Sequence, residues 1–556
     1  MKKLNPKHLL AIAALSAVAA LSATGQKSRD MSPYRGLNTM GSIVQELETN
    51  YVDTIDADRT FKQAIDAMLS TIDPYTVYYP KQNREDLSQM TTGEYGGVGM
   101  YLLEKDGSTY VSEPMEGSPA MTAGLRAGDH ILMIDTTDVS HSKTEQVSKL
   151  LRGTPDTKVV VKVDRPYVQD SIMTFTLNRT KMRQPSVPYS GILNGKTGYV
   201  RISQFIENTG KEVRAALDSF LQHPELTGIV LDLRGNGGGL VEQAVDVASN
   251  FLPKGTEVVR TIGRDKSNSK IYKTTRKPIY PDIPLAVLID GGTASSSEIL
   301  AGAIQDLDRG ILVGTRSYGK GLVQTTRPLP YSGVLKVTVA RYYTPSGRLI
   351  QALDYKHRNE DGSAKRVPDS LTHAYKTLHG RTIRDGGGLQ PDSVVEYPKV
   401  NRLVYNVVTD NWAWDFANKY AAQHAAIDRP SQFTISDTVY SDFKASIDPA
   451  RFKYDSAMEE STEQLRKIAD EEGYLNEETS AAFDNLKKLL THDLGRDLDT
   501  HRRQIEEYLG GEIVTRFYNN RGRLEYALRF DNGLDTAVSL LNSEGYRNLL
   551  KPDKNK

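Results

Sequence analysis

The chain has 556 residues, 38% of them hydrophobic, with 70 Lys plus Arg balanced by 70 Asp plus Glu. This length predicts roughly three or four domains, and the balanced charge excludes the basic field that attracts nucleic acid. The sequence contains no cysteine, which excludes thiol catalysis and Cys-ligated zinc, and its ten histidines form no H-E-x-x-H pair. We therefore expect neither a metal nor a cofactor.

Residues 1–25 are typical of a secretory signal. Three lysines and His8 form a basic start, and Leu9 to Leu21 is an uncharged run of 13 residues. Because a helix needs roughly 20 apolar residues to cross a bilayer, this run is short for a span. We expect an extracytoplasmic, specifically periplasmic, protein, and an uncleaved membrane anchor is the alternative.

The next segment, residues 30–90, has apolar residues at helical spacing from 37 to 71. They are Met40, Ile43, Val44 and Leu47, then Phe61, Ala64, Ile65, Met68 and Leu69. This pattern predicts a pair of amphipathic helices that packs on a neighbouring part of the protein.

Residues 91–180 alternate short apolar strands with turns, and the pattern Gly-Leu-x-x-Gly-Asp-x-Ile runs from Gly124 to Ile131. This region resembles a PDZ domain of the protease-associated kind. Such domains bind a peptide as an added strand and hold its terminal carboxylate with backbone N–H groups. The resemblance implies a peptide-binding loop, and the alternative is that its glycines only permit a tight turn. The loop residues are Gly97, Val98, Gly99 and Met100.

Residues 185–398 have the pattern of an α/β core. The predicted strand Leu285–Asp290 ends just before a turn of small residues, and the predicted helix Glu298–Leu307 follows that turn. Ligands of α/β sheets bind beyond the carboxyl ends of strands, and a helix N-terminus favours developing negative charge. The turn is therefore a candidate site.

Ser295 lies in this turn, and Lys320 follows 25 residues later in a glycine-flanked turn. A serine hydroxyl needs a neighbouring base to act as a nucleophile. A lysine can be that base when burial disfavours its charged form, and Ser with Lys is a known variant of the Ser-His-Asp arrangement. The pair predicts a serine protease with a Ser/Lys dyad.

Two other interpretations of these turns remain. The serine can be only a helix N-cap, and the lysine can lie in an ordinary turn. A phosphate-binding loop is the third interpretation, since Gly314 to Lys320 reads Gly-x-x-x-x-Gly-Lys. Gly321 stands where that loop needs Ser or Thr, and strand-like residues follow instead of a helix.

Beyond a polar, irregular insertion at 355–395, residues 399–556 are heavily charged and helical in pattern. We find no catalytic constellation there and predict a helical region of unknown role.

Four motifs, together with the order of the regions described above, resemble those of the carboxyl-terminal processing, or tail-specific, serine proteases. The resemblance covers roughly residues 37–395. The family's turn G-[ST]-A-S-x-S-E matches Gly292–Glu298, and F-G-K-G-x-V-Q matches Tyr318–Gln324. D-L-R-x-N-x-G-G matches Asp232–Gly239, and T-P-S-G-R matches Thr344–Arg348. The sequence departs from the family at Tyr318, where phenylalanine is commoner, and at Gly235 and Gly237, where Asn and Pro are often found.

The resemblance implies a multidomain α/β and α+β fold with a crotonase-like ββα core. It implies that Ser295, rather than Ser297, is the nucleophile, that Lys320 is the base and that Gln324 orients the lysine. The oxyanion donors would be the N–H of Ser296 and one from Gly238 or Gly239, with the glycine departures leaving open which one. The tyrosine hydroxyl of Tyr318 needs water or a partner.

These expectations describe a periplasmic endopeptidase that recognises the C-terminus of protein substrates, with an adaptor protein or a second copy of the chain as further candidate partners. One alternative is a non-catalytic PDZ-containing scaffold that binds C-terminal peptides, although the joint presence of Ser295, Lys320 and Gln324 argues against it. A second alternative is an intramembrane or signal-peptide processing enzyme with the same dyad, which the lack of spans opposes.

Overall fold

A computed structural model describes residues 32–81, 84–452, 457–490 and 493–552. The predicted secretory signal, residues 1–25, lies outside the described residues. The chain divides into two compact units, the first ending at Pro74 and the second beginning at Tyr75.

The first unit contains the two helices that the sequence predicts, α1 (Ser32–Asn50) and α2 (Ala57–Ser70). Asp56 caps α2, since its carboxylate accepts a hydrogen bond of 3.0 Å from the Arg59 N–H. Leu37 and Met68 are exposed. Among the helices of the described residues, none has the length and apolar character that a membrane span requires.

The second unit opens with a short edge strand and a helix, followed by a small β-rich domain whose main sheet has the order β3-β4-β5-β7-β8. Alternate residues of its strands, such as Val161 and Val163, are fully buried beneath a helix, as expected for a sheet with one covered face. The elements are β1 (Val77–Tyr79), α3 (Arg84–Thr92), β2 (Glu94–Gly97), β3 (Met100–Lys105), β4 (Ser108–Pro114), α4 (Pro119–Ala123), β5 (His130–Ile134), β6 (Thr137–Asp138), α5 (Thr144–Leu151), β7 (Lys158–Asp164), β8 (Ile172–Asn178) and β9 (Thr180–Arg183).

The central sheet of the next domain has six strands in the order β10-β11-β12-β15-β16-β23. The first pair is antiparallel and the remaining neighbours are parallel, which is the arrangement that strand–helix alternation produces. The elements are β10 (Tyr189–Leu193), β11 (Thr197–Arg201), α6 (Thr209–Phe220), β12 (Gly228–Asp232), α7 (Val241–Ala248), β13 (Glu257–Gly263), β14 (Lys270–Lys273), β15 (Leu285–Ile289), α8 (Ser296–Asp306) and β16 (Ile311–Gly314).

A second sheet of the same domain joins β1, β18, β13 and β14 in that order, and β17 pairs with β18. The predicted irregular insertion contains two short hairpins, β19–β20 and β21–β22. The elements are β17 (Leu322–Pro328), β18 (Val334–Tyr343), β19 (Leu353–Arg358), β20 (Ala364–Arg366), β21 (Ala374–Lys376), β22 (Thr382–Arg384) and β23 (Ser393–Val394).

The remaining described residues are helical, as predicted. Phe416, Phe443 and Ile505 lie in the core of this region. The helices are α9 (Arg402–Thr409), α10 (Trp412–Gln423), α11 (Asp437–Ser446), α12 (Ala457–Glu471), α13 (Glu477–Leu490), α14 (Leu494–Thr500), α15 (Arg502–Ala527), α16 (Asn532–Leu541) and α17 (Glu544–Leu549). The structure thus combines α/β and α+β domains.

The last two helices do not belong to that helical core. In β12, Ile229 and Leu231 face the layer formed by α6, α7 and α8, whereas Val230 faces the opposite side of the sheet. There it packs with Leu534 and Leu541 of α16. Helix α16, which lies beyond the predicted boundary at residue 398, therefore packs on the sheet of the domain predicted for 185–398. Sequence periodicity could not reveal this, since it does not identify the partner of an apolar helix face.

The helical region also contacts the β-rich domain. Lys105 Nζ lies 2.5 Å from Asp415 Oδ1, and the Asn520 N–H donates to Glu113 Oε1 at 2.5 Å. The second contact lies where α15 is interrupted at Asn519, with φ 54° and ψ −168°. Burial raises the pKa of the Glu113 carboxyl, although this hydrogen bond opposes the shift. The region of unknown role therefore bridges the β-rich domain and the α/β core.

Candidate active site

The serine predicted as nucleophile lies between β15 and α8, immediately before the helix begins at Ser296. Ser295 has φ 57° and ψ −118°, and it is half-buried. A non-glycine residue with positive φ is held there only by its surroundings, and such strain is common at active sites. The turn presents Ser295 at the carboxyl end of a parallel strand, where ligands of α/β sheets bind.

The two serines that follow are committed to structural bonds. The Ser296 hydroxyl donates to the carbonyl of Gly239 at 2.8 Å, and the Ser297 hydroxyl donates to the carbonyl of Asn236 at 2.9 Å. Both side chains are buried. These bonds fasten the start of α8 to the glycine-rich loop after β12 and distinguish both serines from Ser295.

Glu298 joins the two predicted turns. Its Oε2 accepts the N–H of Ser295 and the N–H of Lys320, each at 2.9 Å. Its Oε1 accepts the Ser317 hydroxyl at 2.5 Å and the Gly319 N–H at 2.7 Å. The side chain is fully buried, and burial raises its pKa to about 7 although the four hydrogen bonds oppose that rise. One carboxylate thus fixes both turns relative to each other.

Tyr342 of β18 makes a second connection between these turns. Its buried hydroxyl donates to the Ser295 carbonyl at 3.2 Å and also contacts the Lys320 carbonyl. Burial raises the pKa of this hydroxyl well above its usual value, so it stays protonated as a donor. The sequence gives no sign of this role, because a tyrosine in an alternating strand usually indicates only packing.

Lys320 is half-buried in the turn before β17, and its Nζ lies 4.3 Å from the centre of the Tyr75 ring. Gln324 lies in β17, where its amide donates to Thr338 Oγ1 of the neighbouring strand at 3.1 Å. In this structure the Gln324 side chain is thus bonded to the neighbouring strand β18. Its orienting contact with Lys320 stays a prediction.

The glycine-rich loop lies directly against the serine turn. A Cβ atom on Gly238 would come within 2.7 Å of Ser295 Cβ and 2.8 Å of the Ser296 nitrogen, so only glycine fits. The Gly238 N–H donates to Asn236 Oδ1 at 2.9 Å. Because the Gly238 N–H is already bonded here, Gly239 is the better candidate of the two predicted oxyanion donors, and the role of either stays a prediction. Within the described residues the N–H of Gly239 meets no acceptor.

A buried ionic network holds the strand that leads into this loop. Asp232 is fully buried and accepts hydrogen bonds from Tyr199 at 2.7 Å, from Arg201 at 3.0 Å and from Arg234. Burial alone would raise the pKa of Asp232, but these partners lower it. Arg234 also bonds Asp531 at the N-cap of α16. The D-L-R motif thus anchors the strand that precedes the glycine-rich loop to helix α16, a role that its sequence match does not identify.

The peptide-binding loop predicted in the β-rich domain lines a cleft of about 370 Å³ between β3 and α5. Residues 97–100 form one wall, and Ser148 and Leu151 of α5 lie on the opposite wall. The carbonyl of Val98 accepts the Ala120 N–H at 2.9 Å. This contact holds the loop against α4, and the cleft between a strand edge and a helix has the shape that accepts an added strand.

No group of three or more His, Asp or Glu side chains within the described ranges is arranged to hold a metal ion. A serine nucleophile with a lysine base needs none for acyl transfer.

Three family models match separate parts of the chain. Peptidase family S41 matches residues 196–356, the PDZ domain matches residues 110–165, and a family described as "Probable PDZ-protease, C-terminal helical domain" matches residues 403–541. The chain is 36% identical over 329 residues to the carboxy-terminal-processing protease of Bartonella bacilliformis, covering 59% of this chain and 75% of that protein. The chain belongs to the carboxy-terminal-processing proteases. It is accordingly a serine-type peptidase with a PDZ domain, and the predicted family and fold class are confirmed.

Two other proteins are also similar to this chain. The carboxy-terminal processing protease CtpA of Bacillus subtilis is 30% identical over 330 residues, covering 59% of this chain and 69% of that protein. A solved structure of a photosystem II D1 C-terminal processing protease is 30% identical and covers 62% of this chain and 84% of that chain, with a TM-score of 0.35.

Proposed function

We propose that this protein is an endopeptidase in which Ser295 is the nucleophile and Lys320 is the general base, with substrates captured by their C-termini in the PDZ cleft. The observation that carries the dyad is the Glu298 carboxylate, which binds the backbone N–H of both residues at 2.9 Å. The bond to the Ser295 N–H is the N3 contact of a capping box, but the bonds to Ser317, Gly319 and Lys320 go beyond a cap and bring the lysine turn to the serine turn.

In this mechanism neutral Lys320 accepts the proton of the Ser295 hydroxyl as its oxygen attacks a peptide carbonyl. The protonated lysine then donates to the leaving amine, and water hydrolyses the acyl-enzyme with the lysine again as base. Gln324 orients the lysine. The Ser296 N–H and, since the Gly238 N–H is used, the Gly239 N–H bind the oxyanion.

Substrate capture follows from the cleft between β3 and α5. Loop 97–100 supplies backbone donors for a free terminal carboxylate, and the apolar side chains of Val98, Met100 and Leu151 suit a small or apolar final residue. The partners are therefore protein or peptide substrates with accessible C-termini.

We also propose that the protein works outside the cytoplasm, in the periplasm, because residues 1–25 have a basic start and a short apolar run. Cell fractionation and N-terminal sequencing of the isolated protein test this. Recovery in the cytoplasm with an intact N-terminus would overturn it.

The dyad is tested with purified protein and an unfolded protein substrate. We expect Ser295→Ala, Lys320→Ala and Lys320→Arg each to abolish cleavage, since arginine cannot deprotonate at these pH values. Ser297→Ala is the matched control and should keep most activity, because its hydroxyl is used for a structural bond. Activity in Ser295→Ala together with its loss in Ser297→Ala would show that the nucleophile is assigned wrongly, and an active Lys320→Arg would exclude the lysine as base.

A further inference from the structure

The turn that contains Tyr75 is fixed beside the lysine turn by its own strand. It precedes β1, whose Val77 pairs with Lys336 of β18. The Thr76 hydroxyl oxygen accepts the Thr338 N–H at 3.3 Å, and Thr338 is the residue that accepts the Gln324 amide. The backbone beside Tyr75 is therefore fixed to the same sheet as β17, the strand that follows Lys320.

The Tyr75 ring covers Lys320. The Nζ atom lies 4.3 Å from the ring centre, within the ~6 Å range of a cation–π contact. Two further tyrosines fix the ring. Tyr355 donates to the Tyr75 hydroxyl at 3.0 Å and meets its ring edge-on at an interplanar angle of 89°, and the Tyr75 hydroxyl lies 3.4 Å from that of Tyr318. The hydroxyl that distinguishes Tyr318 from the family's phenylalanine thus has a partner.

The other titratable groups at this turn lie on the elements packed around it. Glu298 of α8 accepts the Lys320 N–H, and the Tyr342 hydroxyl of β18 contacts the Lys320 carbonyl. Both of these hydrogen bonds are made to the lysine backbone, and the Glu298 carboxylate when ionised also favours the protonated lysine. Tyr75, with Tyr318 and Tyr355 behind it, faces the side-chain nitrogen, and burial and these hydroxyl contacts raise the pKa of the Tyr75 phenol so that it stays neutral.

A ring face attracts an ammonium ion but gains little from a neutral amine. The contact therefore stabilises the protonated lysine, which cannot act as a base. We propose that Tyr75 is a positioning residue that holds Lys320 as an ammonium in the resting enzyme and so sets the pH at which the base becomes active. This inference rests on the proposed role of Lys320.

The test measures the rate at which a fluorophosphonate labels Ser295 across a pH series, which reports the dyad without involving the PDZ cleft. In Tyr75→Leu we expect the midpoint of the rise with pH to move about one unit lower, because a cation–π contact contributes roughly as much as one pKa unit. Labelling below the wild-type midpoint then becomes about tenfold faster than in the wild type. Tyr75→Phe keeps the ring face and should keep the midpoint, as should Tyr355→Phe.

An unchanged midpoint in Tyr75→Leu would overturn the inference. If Tyr75 had a purely structural role, the maximal labelling rate would fall in both Tyr75→Leu and Tyr75→Phe, and the pH midpoint of labelling would not move. Should the leucine variant not fold, Tyr75→Met removes the ring with an unbranched side chain and is read in the same way. Lys320→Ala separates the two proposals. Normal labelling in Lys320→Ala contradicts the dyad itself. If labelling is lost in Lys320→Ala while the pH midpoint of Tyr75→Leu is unchanged, only the role of Tyr75 is contradicted.

Discussion

The serine turn and the loop of the PDZ cleft are both glycine-flanked turns beside an element of regular structure, yet the structure holds them in different ways. At the serine turn, one fully buried carboxylate accepts four hydrogen bonds and ties together two segments that are distant in sequence. The PDZ cleft is an open groove between a strand and a helix, and half-buried side chains form much of its wall. The geometry of the serine turn thus depends on a few buried polar contacts, of which Glu298 makes four, whereas the wall of the cleft is built from many small contacts. The two sites should therefore respond differently to substitution.

The largest effect should come from Glu298→Gln. The amide nitrogen of the glutamine would replace Oε2, which accepts the N–H groups of Ser295 and Lys320. The amide N–H would then face these two backbone donors in a buried place, and each unsatisfied group costs about 1–3 kcal/mol. We expect kcat/KM to fall about 10²–10³-fold, because the serine and lysine turns lose their alignment. Cleavage of an unfolded protein measures this. Glu242→Gln, an exposed acid in the first turn of α7, is the control, and a Glu298→Gln activity within threefold of wild type would contradict the prediction.

Stability should also depend on pH through the same group. Burial raises the pKa of Glu298 from 4.5 to about 7, so between these values the folded state binds more protons than the unfolded state. The free energy of unfolding contributed by this residue is therefore greatest below about pH 4.5 and falls as pH rises to about 7, by at most about 1.4 kcal/mol per pH unit. Urea unfolding across this pH range measures the difference in the free energy of unfolding between the wild type and Glu298→Gln. If that difference stays constant across the window, the assignment is wrong.

Changes at the PDZ cleft should have smaller effects. Amidating the C-terminus of a peptide substrate removes the charge that loop 97–100 would hold, and a charge-assisted hydrogen bond contributes about 1.5–3 kcal/mol. We expect kcat/KM to fall about 10- to 100-fold, and a similar fall when two aspartates are added, because they bring unpaired charge to the apolar part of the cleft. Steady-state kinetics on peptides of identical internal sequence provide the measurement. Equal values for all three peptides would make the enzyme a general endopeptidase that does not select C-termini.

The smallest effect should come from the contact between the PDZ domain and the helical region. Lys105→Met removes a half-exposed pair with Asp415, and such pairs contribute about 0.2–1 kcal/mol. We expect thermal unfolding to show a loss in that range. Lys149→Met removes an exposed pair on α5 and is the control with almost no loss. Equal effects of both substitutions would show that the interdomain pair adds nothing.

Local pattern was sufficient to predict the strand–turn–helix around Ser295 and the turn that contains Lys320, because these depend on neighbouring residues. It could not predict that the Glu298 carboxylate joins the two turns, that Tyr342 contacts both carbonyls or that the Tyr75 ring covers the lysine. It also could not show that the Gly238 N–H donates a hydrogen bond to the Asn236 side chain. Each of these depends on which side chains meet after folding, and single-sequence periodicity contains no information on such partners.

The position of α16 and α17 has a consequence for how the chain is made. These helices cover one face of the sheet that carries the serine turn, with Leu534 and Leu541 against Val230. During synthesis that apolar face stays open to solvent long after β12 has been made, because the helices that cover it follow much later in the sequence. The catalytic domain therefore cannot be completed before these helices have left the ribosome, and fragments that stop at residue 398 should aggregate rather than cleave.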